Sequence, residues 1–429
     1  MKKIIFGSIA GVLVVAAAAA ALWWTHRPQV LQVDKNTKLT LVGVEYGKHH
    51  KYPKVVGSRG NGGSFETTND TLVVWILQET KPSQTRYGWQ AFIYDHAGTA
   101  AVTSWSRNST QVRPGIELSG LQLDAFPRWD RTFPIRFMTW GGNGQRLVKG
   151  EFIVSNPARQ KTSSAWAADP LPDTRSDGDL EVTLTSLVPG APFPYNRGAG
   201  IPKDDPASKC VQLDYTVQQK GQSVTNWRPI QIQLSDASGN HTVGWINTLQ
   251  QGKEPPKYFF QPGLWPNQSP WKLRFEFSRT SGFNDDELWT ISDIPLNAGT
   301  WQDLWGNGGK NQAAPFAETN LSGFHLKLFP AIQFTDQNFG NGQKRGGLRI
   351  QADAPLDGMQ LAMVKATDEQ GHDLQSWGGT SWGGDSRQIQ FQNLRNAKTI
   401  TLTVALHKSR YLEFTVAPAP AGKTAASKN

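Results

Sequence analysis

A single cysteine in 429 residues excludes an internal disulfide framework and any cysteine-based zinc site. Charge is sparse as well: charged residues make up 18% of the chain, against roughly 25% in an ordinary soluble protein. No Asp or Glu occurs among the first 30 residues. The eight histidines show no metal-ligand spacing such as His-x-x-x-His, and there is neither a Gly-x-Ser-x-Gly nucleophile elbow nor a phosphate loop. Those gaps remove the readiest enzymatic readings. What the chain has instead is 42 Gly, 26 Pro and 17 Trp, and the Gly and Pro load argues against a mainly helical fold. The length exceeds one typical domain and suggests about three.

The net charge of +9 invites a nucleic-acid reading until the charges are placed. Lys2, Lys3 and Arg27 flank an apolar N-terminal segment, and Lys423 and Lys428 lie in the tail, so the ends carry more than half of the excess. In the body the longest basic run is the pair Lys344-Arg345. No stripe of Lys and Arg interleaves with aromatics, so no nucleic-acid partner is expected.

Residues 4–24, IIFGSIAGVLVVAAAAAALWW, contain no charge. As a helix rising about 1.5 Å per residue they span about 30 Å, the thickness of a bilayer's hydrocarbon core. Lys2 and Lys3 keep residues 1–3 as a cytoplasmic stub, and Trp23 and Trp24 fall where amphipathic rings favour the far interface. This predicts a transmembrane anchor (or uncleaved signal) at 4–24. The competing reading is a signal peptide cleaved among the small residues Ala16 to Ala21. Either way the bulk of the chain is expected to be periplasmic or extracellular.

A short pattern then recurs three times. Asp95-His-Ala-Gly98, Asp236-Ala-Ser-Gly239 and Asp368-Glu-Gln-Gly371 each follow an apolar-alternating segment and precede a Trp, at 105, 245 and 377. Asp accepts from backbone N–H groups at the start of such a turn, and Gly supplies the positive φ at its end. Alternating segments repeat around each copy; the closing ones are Gly150-Glu-Phe-Ile-Val, Glu287-Leu-Trp-Thr-Ile and Tyr411-Leu-Glu-Phe-Thr-Val. Period-2 alternation buries one face and solvates the other. The expectation is an all-β chain of three tandem immunoglobulin-like or fibronectin-like β-sandwich units, at 38–156, 180–296 and 323–417. Linkers are expected at 157–179 and 297–322, and a disordered tail at 418–429. A jelly-roll strand order also satisfies the pattern.

Four features could carry function. Trp140, Trp305 and Trp382 each precede Gly-rich sequence, and rings on such loops suit sugar faces; Trp377 has the same context but holds the repeat's marker position. The plainer reading folds these rings over a sheet edge. Asp173, Asp177, Asp179 and Glu181 surround a Gly turn between the first two units and could supply oxygens to calcium, although Arg175 opposes a cation there. Carboxylates at Asp204-Asp205 and at Asp285-Asp-Glu287 could each supply an acid/base pair, but neither is tied by spacing to a partner, and the pair His49-His50 in an insertion from Tyr46 to Phe65 reads as part of a solvated surface loop. Cys210 lies in an alternating segment and reads as a buried apolar residue. The sum is a membrane-anchored, exported, non-enzymatic binding or scaffold protein that recognises a glycan or an envelope protein partner. The alternative is a carbohydrate-active enzyme with its site at a unit boundary.

Overall fold

The computed structural model describes residues 29–54, 63–81, 89–95, 100–103, 107–140, 146–160, 166–192, 209–249, 257–261, 263–265, 270–300, 303, 314–335, 344–376, 385–392, 394 and 396–418. These residues form an all-β structure of several sandwich-like sheets, and none of them lies in an α-helix. No helix among them is long and apolar enough to cross a membrane. The expected anchor at 4–24 lies outside the described residues.

The N-terminal strands are β1 (Val30–Gln32), β2 (Thr37–Lys51), β3 (Ser64–Thr80), β4 (Trp89–Tyr94), β5 (Ala100–Thr103), β6 (Arg107–Arg113), β7 (Ile116–Leu123), β8 (Thr132–Trp140) and β9 (Arg146–Ser155). They make two sheets, ordered β1-β2-β3-β7-β6 and β5-β4-β8-β9. Alternation sets the core: Leu72, Val74 and Ile76 from β3 share a cluster with Phe133, Ile135 and Phe137 from β8. A buried bond from Trp89 Nε1 to Gln78 Oε1, 2.8 Å, ties one sheet to the other. The insertion from Tyr46 to Phe65 is less open than expected. The β2–β3 ladder runs on through His49↔Glu66 and His50↔Phe65, and His50 is buried against the Phe65 ring.

The central strands are β10 (Asp173–Asp177), β11 (Leu180–Pro192), β12 (Lys209–Gln219), β13 (Gln222–Ser223), β14 (Trp227–Asp236), β15 (His241–Leu249), β16 (Lys257–Gln261) and β17 (Trp271–Arg279). The C-terminal strands are β18 (Leu288–Ala298), β19 (Ala317–Leu321), β20 (Phe324–Leu328), β21 (Ala331–Thr335), β22 (Lys344–Ala352), β23 (Met359–Asp368), β24 (Gln375–Ser376), β25 (Ser386–Gln392), β26 (Thr399–Lys408) and β27 (Arg410–Val416). The pairing β2-β3-β7 recurs as β11-β12-β16 and as β20-β22-β25, and β4-β8 recurs as β14-β17 and β23-β26. Two of these strands, β10 and β19, lie inside stretches expected to be linkers.

One position breaks the recurrence. In the N-terminal region β8 is flanked by the next strand, β9, a local hairpin. By that precedent β18 should flank β17, and β27 should flank β26. Instead β17 pairs with β27, from Trp271↔Val416 to Phe277↔Arg410. In turn β26 pairs with β18, from Leu288↔Ala405 to Pro295↔Thr399. The closing strands of the central and C-terminal regions are exchanged. Only Ser409 separates β26 from β27, so 399–416 runs as nearly one strand through both regions, antiparallel to 271–298. The cores follow: Leu412, Phe414 and Val416 bury among central residues such as Leu273 and Phe275. Ile291, Ile294 and Leu296 bury with Ile400, Leu402 and Val404. Strands from either side of the expected boundaries at 296 and 323 therefore pair with one another. Alternation fixes which face of a strand is buried but not which strand lies beside it.

The crossing point is polar. Arg279 Nη2 donates to both oxygens of Glu287 at 2.5 Å across the turn between β17 and β18. Buried Glu276 accepts from Gln360 Nε2 at 2.7 Å and from Ser409 Oγ at 2.6 Å. His407, also buried, lies with Nε2 3.2 Å from Ser278 Oγ and Nδ1 3.2 Å from the Lys408 carbonyl.

Candidate functional site

The repeated turns take the expected form where they are described. Asp236 Oδ1 accepts from the backbone N–H groups of Ser238 and Asn240, at 2.9 and 3.1 Å. Asp368 Oδ1 accepts from those of Gln370 and His372, at 3.0 and 2.8 Å. Gly239 and Gly371 close the turns with φ of 89° and 84°. The residue after Gly differs, and with it the turn's role. Asn240 is buried, and its Oδ1 accepts from Phe126 N at 3.1 Å and from Arg128 Nε at 2.9 Å. Arg128, itself only 4% exposed, also donates to Tyr46 Oη and to the Gly239 carbonyl, and stacks on Phe126 at 4.4 Å. The turn from Asp236 to Asn240 thus docks the central region on the N-terminal one. The turn at Asp368 carries an exposed His372, whose ring caps Asp368 Oδ2 instead.

Strand β15 leads out of the docked turn, and its parity decides what it displays. Gly244 faces inward, where a Cβ would sit 3.3 Å from Ile232 and 3.5 Å from Phe260. His241, Val243, Trp245 and Asn247 therefore face outward. Trp245 and Val243 are each 47% exposed. Trp245 is flanked directly by Gln231 on β14 and by Gln261 on β16. Gln261 Nε2 donates to the Lys209 carbonyl, and among the described residues neither its oxygen nor the Gln231 amide has a hydrogen-bond partner. At the junction end of the strand, His241 Nε2 lies 3.2 Å from Asn69 Nδ2. In the sequence Trp245 stands out only as a repeat marker. The signal that exposes it is the inward-facing Gly244 one residue earlier.

The sequence-derived candidates fall elsewhere. Trp140 ends β8, with its side chain outside the described set, and Trp305 and Trp382 lie outside the described residues altogether, as do Asp204 and Asp205. The acidic set at the first junction is engaged by arginines. Asp173 and Asp169 pair with Arg175 at 2.9 and 2.6 Å. Asp177 accepts from Arg410 Nη1 and the Tyr411 backbone N–H, at 3.4 and 3.2 Å. Asp179 accepts from Gln219 Nε2 at 2.9 Å, which together with Arg410 holds its carboxyl below the usual range. Exposed Glu181 stands opposite Ser176 in the β10–β11 ladder. A cation there would compete with two guanidinium groups, and among the described residues no cluster of three or more His, Cys, Asp or Glu could hold a metal ion. Asp177 and Asp179 fasten the turn at Gly178 to β27. Cys210 is buried, and desolvation pushes its thiol up to about 12, far from a reactive thiolate.

The class defined by these features is an all-β protein of several sandwich-like sheets, with exchanged closing strands and, among the described residues, one displayed Trp flanked by amides. Compared with protein families, curated proteins and solved structures, the chain matches none.

Proposed function

We propose that this is an exported, membrane-anchored, non-enzymatic scaffold of three immunoglobulin-like sandwich units that holds a binding surface away from the bilayer. The strand exchange carries the reading. A ribbon shared by two units resists bending at their boundary, which suits a spacer more than a hinged catalytic cleft. The pairing orders β2-β3-β7-β6 and β5-β4-β8-β9 support the immunoglobulin-like assignment, since they follow the A-B-E-D and C-F-G arrangement. The uncharged run at 4–24 supports the anchor, with the remainder periplasmic or extracellular and a glycan or envelope protein as partner. An enzymatic site at the first unit boundary is less well supported, because Arg128, Asp236 and Asn240 there are engaged with one another.

Fractionation of expressing cells tests this. The full chain is expected to sediment with membranes, to resist an alkaline wash and to be digested by protease added outside the membrane that bears it. Deleting residues 4–24 should release it. A full chain that is soluble, or that is shielded from the protease, contradicts the reading.

A further inference from the structure

We propose that the outward face of β15, centred on Trp245 with Gln231, Gln261 and Asn247 around it, binds an uncharged polysaccharide chain. The proposal deepens the binding arm of the function given above and rests on it. Three observations select this ligand class.

The first is the ring. A Trp that is 47% exposed on a strand within a sheet, without aromatic or cation–π contact among the described residues, presents part of its apolar surface to solvent. The C–H faces of sugars match such a surface. The second is the set of hydrogen-bonding groups. Neighbouring strands lie about 4.8 Å apart, so the Gln231 and Gln261 amides reach hydroxyls at the rim of a sugar stacked on Trp245. Neutral amides fix orientation by donating and accepting at once, as hydroxyls require.

The third is charge. On the adjoining strands Arg274 stands opposite Glu413 and stacks on Tyr411 at 4.5 Å. Lys272 lies 4.7 Å over Trp166, and Glu276 is held by Gln360 and Ser409. These two cations and two carboxylates offset one another, and the two residues directly beside the ring, Gln231 and Gln261, are uncharged. The strip is also an open strand face, which suits a polymer lying across it. It continues through Val243 to His241 and so meets the interface with the N-terminal region at Asn69.

The test is native affinity electrophoresis of the full chain in detergent. The gels contain hydroxyethylcellulose, soluble starch or dextran, with polygalacturonate as the acidic counterpart. At least one neutral polymer should retard the full chain. Trp245→Ala should weaken that retardation about tenfold, as loss of a central aromatic anchor does, without moving the melting midpoint. Trp245→Phe, which keeps a ring, should restore part of it. Retardation by none of the neutral polymers, retardation by polygalacturonate alone, or undiminished binding by Trp245→Ala overturns the proposal. Failure of the export reading would appear in the fractionation, which contains no polymer.

Discussion

The strand beside β8 is its own neighbour in sequence, whereas the strands beside β17 and β26 each come from the other region. The two arrangements bury the same kinds of side chain: Phe152 and Val154 in the local case, Phe414 and Val416 or Ile291 and Ile294 in the exchanged one. They differ in what a loss of packing reaches. A local hairpin closes its sheet with chain from the same region. An exchanged pair passes damage across the boundary, because neither core is complete without chain from the other. Sandwiches with the same strand pairings can therefore differ in cooperativity through one pairing choice.

The largest expected effect comes from matched truncations in the two settings. Phe414→Ala should cost about 3–5 kcal/mol, as removal of a buried aromatic does, and should destabilise the central region although the residue lies near the C-terminus. Phe152→Ala should cost a similar amount but leave β17 and β26 protected, as read by hydrogen exchange at increasing denaturant. If Phe414→Ala loosened only the C-terminal region, the exchanged pairing would be wrong.

The docked turn comes next. Asn240→Ala leaves the buried Arg128 guanidinium short of an acceptor and should cost about 1–3 kcal/mol. Limited proteolysis should then cut between the N-terminal and central regions sooner, while the equivalent change His372→Ala leaves the cutting pattern unaltered.

A smaller effect follows from His407 at the crossing point. Burial, with Arg279 adding to it, holds this imidazole below its ordinary 6.5, against the pull of the Lys408 carbonyl and Glu287. The unfolded chain therefore takes up the proton first. The contribution is intact above 6.5 and is lost as pH falls through that value toward the folded one. The denaturant midpoint of the β17–β27 and β26–β18 ladders should drop over that range, and His407→Gln should flatten the dependence. The smallest effect is Trp245→Ala, within about 0.5 kcal/mol of the parent in thermal melts, since the ring is half exposed.

Much of the architecture was legible from alternation and turn chemistry. Asp236–Gly239 and Asp368–Gly371 fold as their residue types require, and the strands around Leu180, Trp271 and Ile400 lie where the period-2 pattern puts them. The exchange was not legible, because β18 and β27 alternate in the same way and either could close either sheet. The displayed Trp was half legible. Its strand was found, but its face depends on Gly244 turning inward between Ile232 and Phe260, a packing fact with no trace in residue type alone. The partners of the acidic run around Gly178 were not legible for a related reason. Arg410, which engages Asp177 and Asp179, lies more than 200 residues away and arrives only through the exchanged strand.

Native-state hydrogen exchange of the full chain across a denaturant series tests the interlocked pair most directly. The amides of β17, β18, β26 and β27 should lose protection together, with one common denaturant dependence, and those of β8 and β9 should follow a separate one. Loss of β17 and β27 at a different denaturant concentration from β18 and β26 would contradict the interlocked pair.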